Sequence, residues 1–330
     1  MRKYLGIVAA SILFSQILSP AHASLNAPIN LENPRVVPIF GQPIGMVAPA
    51  AGWSGYLYSP RIIFSAAHSN YKFDNNGNRI LSEPALITVG RPNSAASVQT
   101  GRVKVIKTFV GNFRAGKSAG ALDDFIVYVL EKDLAAIQPA NLLTPDISKV
   151  LVATKAEVMF HGYGEYRDRC GPGQVNPCKK DFQNPNHTTS ELPRVSKLNL
   201  AAGSDASLLD AQLIEDLKNE ILVLNPAGCP GDSGGPITTV YKGAPIYLGQ
   251  GLDGGNFYAC GASPASKNDP RAFGYFSPVY KHLDLIKAAE DYIKANPATT
   301  SKSTITCIKG KLEKKVTGTN PKCPAGFKKK

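Results

Sequence analysis

Gly231-Asp232-Ser233-Gly234-Gly235-Pro236 places a hydroxyl nucleophile between glycines, directly after an aspartate. This composition suits a serine whose own backbone binds an oxyanion. Gly231 carries no Cβ, so the chain there can approach a substrate carbonyl closely. The N–H groups of Gly231 and Ser233 would then face the oxygen that becomes negative in the transition state. A serine in a glycine-rich loop is by itself no more than a turn, so its reading depends on partners elsewhere in the chain.

Those partners lie upstream. The apolar run Ile62-Ile63-Phe64 reads as a buried strand and leads into Ser65-Ala66-Ala67-His68. His68 is the candidate general base. Asp124 opens a second apolar run, Phe125-Ile126-Val127-Tyr128-Val129-Leu130, and would orient the imidazole through its other nitrogen. A serine hydroxyl is a weak nucleophile until a base takes its proton, and the base needs a third group to hold its tautomer. Asp123 competes for that third place, but Asp124 adjoins the strand and is preferred. His161, His187 and His282 lack such surroundings and read as structural or exposed.

With His68, Asp124 and Ser233 in this order, the chain resembles the trypsin/chymotrypsin-like serine protease family from about Trp53 to Asn296. Ser65-Ala66-Ala67-His68 is similar to the family's histidine box, Asp124-Phe125-Ile126-Val127 to its aspartate box, and Gly231–Pro236 to its serine box. Gly162-Tyr163-Gly164 resembles the turn that starts the second barrel, and Val279–Ile286 the entry to the C-terminal helix. The resemblance implies an all-β fold of two six-stranded antiparallel β-barrels, about 51–145 and 150–280, followed by a helix. It places the triad in the crevice between the barrels. It also implies a serine endopeptidase that cuts protein or peptide substrates through an acyl-enzyme, with no metal and no organic cofactor, acting as a monomer.

Departures from the family pattern are specific. Trp53 and Ser69 stand where two cysteines would clamp the histidine loop. Arg35-Val36-Val37-Pro38 is the nearest counterpart of the family's activated N-terminus, whose amine would pair with Asp232. Leu252-Asp253-Gly254 replaces the usual Ser-Trp-Gly beside the substrate. Carried over, the pocket floor is Ala227 and its walls are Gly254 and Gly274. A pocket without a buried carboxylate cannot compensate a desolvated cation, so apolar or aromatic residues are expected before the scissile bond. Asp253, near the mouth, is the one acidic group that would favour a basic residue. The rival reading is a catalytically silent binding protein on the same scaffold, against which the chain keeps all three triad residues.

The chain has 330 residues and six cysteines. Met1-Arg2-Lys3, an apolar run from Tyr4 to Leu18 and Ala21-His22-Ala23 read as a signal peptide over 1–23, so a secreted protein is expected. Cysteines in an exported chain suit disulfides, and the sequence alone leaves their pairing open. Cys229 and Cys260 match a bridge of the family. Cys170 and Cys178 bound a short loop that they could staple, and Cys307 and Cys323 are left for each other. Metal binding is not expected, since no Cys-x-x-Cys pair occurs.

The net charge of +12 is unevenly placed. Residues 297–330 carry nine Lys and one Glu, whereas 24–296 carry 26 basic and 24 acidic residues. The body is near neutral, so no specific nucleic-acid binding is expected of it. The tail, 297–330, reads as a linker and a small two-cysteine unit with strands at Thr304–Gly310 and Lys314–Thr317. It resembles Lys-rich tails of exported bacterial proteins, which implies attachment to anionic cell-envelope polymers. Residues 24–50 read as an N-terminal arm or pro-segment ahead of a protease domain over 51–296. Residues 131–155 read as the connection between barrels and 165–193 as a polar surface insertion. Apolar spacing predicts helices over Asp205–Leu222 and Tyr280–Ala295.

Overall fold

The computed structural model describes residues 33–41, 50–73, 79–81, 83–90, 102–111, 124–163, 194–202, 221–224, 233–255, 273–298, 303–318 and 321–330. The N-terminal half holds β1 (Val36–Gly41), β2 (Ala50–Ser59), β3 (Ile62–Ser65), β4 (Tyr71–Phe73), β5 (Arg79–Leu81), β6 (Ile87–Val89), β7 (Val103–Val110) and β8 (Ile126–Leu130). Six of them close a barrel in the order β1-β2-β3-β8-β7-β6, every pair antiparallel, while β4 and β5 form a separate hairpin.

The two apolar runs are explained by alternation. Ile63, Ile126, Tyr128 and Leu130 point into the barrel, where they pack with Val37, Ile39, Leu57 and Val105. Ile62, Phe64, Val127 and Val129 point outward, yet they are equally buried, against Leu198, Leu200, Tyr247 and Phe276 of the following strands. Successive side chains of a strand face opposite ways. A strand covered on both faces therefore favours apolar residues on both, as along all of β8 and along β3 up to its last residue, Ser65, whose hydroxyl is instead bonded to Ser54 O.

Those following strands are β9 (Asn141–Leu142), β10 (Glu157–Gly162), β11 (Arg194–Ala202), β12 (Ile221–Leu224), β13 (Pro236–Tyr241), β14 (Ala244–Gly255) and β15 (Phe273–Pro278). They form one sheet in the order β13-β10-β11-β12-β15-β14-β9, with a further pairing of β13 to β14. All pairs are antiparallel except β9 with β14.

Two α-helices occur among the described residues, α1 (Pro145–Ala153) and α2 (Leu283–Ala295). The second matches the expectation from spacing, with its first turn in 3-10 form over Val279–Lys281. It buries Ile286 and Ala289 and ends before Pro297, whose ring disfavours helix at the residue preceding it. No described helix is long and apolar enough to cross a membrane. Last come β16 (Ser303–Lys309), β17 (Leu312–Gly318) and β18 (Lys328–Lys329), a three-stranded sheet with a Cys307–Cys323 disulfide.

Two expectations need correction, and a third gains detail. Residues 24–50 are not wholly an arm, because Val36–Gly41 is a strand of the closed barrel, paired with both β2 and β6. The connection 131–155 contains α1, whose start is marked by Thr144 accepting from Ile147 N at 3.3 Å and by Pro145 in the first turn. The helix expected over Asp205–Leu222 does not reach its end, since Ile221 and Leu222 begin β12 against β11 and β15. Residues 203–220 lie outside the described residues, as do 1–32 and the insertion 165–193.

Two histidines are built into this core as neutral groups. His161 on β10 pairs through Nε2 with Thr238 Oγ1 at 3.1 Å, and burial pushes its pKa down to about 4. His282 stacks on Phe125 with ring centroids 4.3 Å apart, and burial likewise lowers it to about 4. Unfolded histidine titrates near pH ~6.5. Above that pH both states are neutral; below it the unfolded chain takes up protons first. Stability is therefore full above about pH 6.5 and lost as pH falls toward about 4. Denaturant midpoints measured across this window should fall with acidification, and His161→Gln should flatten the slope. An unaltered slope in that variant would exclude His161 as a contributor.

Candidate active site

Strand β3 ends at Ser65, and the chain then turns through a single 3-10 turn, Ala67–Asn70, that carries His68. Asp124 lies two residues ahead of β8, the strand paired with β3, so register sets the two side by side: Ser65 is opposite Ile126. Ala67 N donates to Asp124 O at 3.4 Å, tying the turn to the start of β8.

The Asp124 carboxylate holds His68 with both oxygens. Oδ1 accepts from the His68 backbone N–H at 2.6 Å, and Oδ2 lies 2.5 Å from His68 Nδ1. The carboxylate is nearly enclosed, with its side chain 5% exposed, while the imidazole is 32% exposed. An ionised carboxylate only accepts hydrogen bonds, so the ring proton belongs on Nδ1. That leaves the Nε2 lone pair facing Ser233 Oγ at 2.8 Å. The arrangement is one in which Nε2 can take the serine proton while Asp124 stabilises the imidazolium that results.

Ser233 is clamped from two sides. Its carbonyl accepts from Ser54 N on β2 at 3.0 Å. The next residue, Gly234, has φ +78° and donates to Gly251 O on β14 at 3.0 Å, and Gly251 N returns a bond to Gly235 O at 2.8 Å. A Cβ on Gly234 would lie 2.1 Å from Ser65 Oγ, 2.5 Å from Ser54 O and 2.8 Å from Ala66 N. Glycine is required here both for its conformation and for the absence of a side chain. Ser54 links further: its carbonyl accepts from Ser65 Oγ at 2.7 Å and its hydroxyl accepts from Tyr163 N at 2.9 Å. Tyr163 OH in turn donates to Val36 O at 3.2 Å.

The structure brings together His68, Asp124 and Ser233, three residues far apart in sequence. On the expected pocket walls, Gly254 of β14 pairs with Gly274 of β15, and Asp253 pairs with Tyr275. Ala227, Gly231, Asp232 and Asp123 lie outside the described residues, as do Cys170, Cys178, Cys229 and Cys260. Val36, compared above with an activated chain start, is a buried strand residue whose amide donates to Asn33 O at 3.3 Å. Among the described residues, no three or more His, Cys, Asp or Glu side chains gather as metal ligands. Two contributors escaped the sequence reading: Ser54, and Gln250 on β14, which is fully buried beside Asp124. A lone serine or glutamine within a strand carries no local signal of such a role. No family model matches this chain, and no curated protein matches it significantly.

Gly234→Ala should destabilise the protein by at least about 2 kcal/mol, from left-handed backbone strain and overpacking. Chemical denaturation would measure it; a variant as stable as the parent would show that the turn can move away from Ser54 and Ser65.

Proposed function

We propose that this chain is a secreted serine endopeptidase of the trypsin/chymotrypsin-like type. The observation that carries the reading is the unbroken contact Asp124–His68–Ser233, at 2.5 Å and 2.8 Å, with Asp124 buried and His68 partly open to solvent. In this reading Ser233 Oγ attacks the scissile carbonyl as its proton passes to His68 Nε2. The N–H groups of Gly231 and Ser233 hold the oxyanion. His68 then protonates the leaving amine, and water, deprotonated by His68, releases the acyl group.

The strand pairings support the fold that goes with this chemistry. Taken in turn, β10–β11, β11–β12, β12–β15, β15–β14, β14–β13 and β13–β10 return to their start, and we read that ring as a second six-stranded barrel. With Ala227 as the pocket floor that the resemblance implies, glycines at 254 and 274 would leave a specificity slot suited to apolar or aromatic side chains. The intact triad geometry favours an enzyme over the catalytically silent binding protein. The leader at 1–23 would route the chain out of the cell.

The tail is read as an attachment module for anionic envelope polymers. Its Lys309, Lys311, Lys314, Lys315, Lys328 and Lys329 are exposed, and its one acid, Glu313, is already paired with Lys330 at 2.5 Å. Cys307 is buried at the bond to Cys323, which orders a unit too small for a core of its own.

Ser233→Ala should abolish covalent labelling by a fluorophosphonate and lower peptide hydrolysis about a thousandfold or more. Turnover at the parental rate in that variant would sink the mechanism. Full-length protein should be retained on an anionic matrix at low salt and released at high salt, whereas a chain ending at Asn296 should pass through at both. Equal retention of the two forms would remove the tail from the functional account.

A further inference from the structure

Gln250 lies on β14, where its backbone is in register with Pro236, three residues beyond Ser233. The next residue, Gly251, exchanges hydrogen bonds with the serine turn at Gly234 and Gly235. The side chain of Gln250 goes the other way. Its Nε2 donates to Ser65 O at 3.1 Å and to Asp124 O at 3.0 Å. These two carbonyls belong to the last residue of β3 and to a residue two positions ahead of β8, which together frame His68. Oε1 accepts from Tyr247 OH at 2.8 Å. Burial holds the Tyr247 phenol well above its ordinary titration range, so it stays a donor. Two carbonyls on one side and a hydroxyl donor on the other admit one orientation of the amide, with both N–H groups and the oxygen engaged.

We infer that Gln250 is a positioning residue: one step of β14 ties the His68–Asp124 half of the site to the Ser233 half. His68 sits in the turn that follows β3 and Ser233 in the turn that precedes β13, and the Nε2–Oγ distance depends on how those turns are held against each other. The two linkages, Gln250 to Ser65 and Asp124 and Gly251 to Gly234 and Gly235, are adjacent on the strand and leave little room for relative sliding. An error of about 1 Å between reacting groups is enough to cost roughly a hundredfold in rate. The inference rests on the endopeptidase reading for its kinetic consequence but not for its geometry.

The test compares the full-length parent with Gln250→Met, which keeps the length and removes donor and acceptor, and Gln250→Glu, which keeps the shape and the acceptor for Tyr247. Active-site titration with a fluorophosphonate counts competent sites, and peptide hydrolysis is expressed per titrated site. Gln250→Met should lose about 10- to 100-fold in kcat per site, with KM changed less than about twofold. Gln250→Glu should also lose rate and should move the acid limb of its pH profile upward, since a nearby carboxylate favours the imidazolium. The Nδ1 proton resonance of His68, assigned by its loss in His68→Ala, should shift or broaden in Gln250→Met. Parental kcat per site together with an unmoved resonance would reduce Gln250 to a structural residue, even if the melting temperature fell. A parent that reacts with no fluorophosphonate would end the endopeptidase reading, while the resonance would still decide the role of Gln250.

Discussion

Strands β3 and β8 are covered on both faces, and most of the molecule is arranged to satisfy that constraint. One face of the pair fills the closed barrel with Ile63, Ile126, Tyr128 and Leu130; the other meets the second sheet through Ile62, Phe64, Val127 and Val129. An aromatic stack continues this second contact, with Tyr56 against Tyr247 at 4.3 Å and Phe64 tilted between Phe125 and Tyr247. Because each strand is held from two directions, neither can slide or rotate without opening a cavity. The ends of these two strands, Ser65 and Ile126, are where the chemistry-bearing residues emerge. Rigidity of the core thus becomes precision at His68 and Asp124.

The triad and the groups that brace it bond to one another. Asp124 is buried, and both its oxygens are occupied by His68. Ser54 and Ser65 cross-brace the strand that receives the Ser233 turn, and Gln250 spans from β14 to the carbonyls on either side of the histidine turn. Groups of this kind are costly to bury alone and inexpensive once paired. The network therefore specifies one geometry, because any displacement leaves a buried carbonyl or amide without its partner. Gly234 marks the tightest point: the left-handed backbone there lets the serine turn press directly onto Ser54 and Ser65.

Much of this was legible locally. Ile62–Phe64 and Phe125–Leu130 read as buried strands because continuous apolar runs at strand length have few other uses, and both are strands. The C-terminal helix was legible from its spacing and its stop at Pro297. Helix α1 was missed although Thr144-Pro145 announced it, because its nine residues are too few for periodicity to stand out. Strand β1 was missed because its Pro38 and the surrounding Pro-rich composition resemble a loop. It is a strand because β2 and β6 flank it on both sides, and residues distant in sequence supply those partners. Ile221 and Leu222 followed a helical spacing but were claimed by β11 and β15, a tertiary override of local preference.

The sequence by itself determined which residue types could do chemistry: a serine among glycines, a histidine closing one apolar run and an aspartate opening another. Those are properties of composition and order along the chain, and they survive without any structure. Only the tertiary structure decided the distances among them, since Nε2 meets Oγ across 165 positions of chain through contacts that no local stretch encodes. It also decided the roles of Ser54 and Gln250. A serine or glutamine in a strand looks alike whether it faces solvent or a buried carbonyl, and the difference lies wholly in what the fold brings against it.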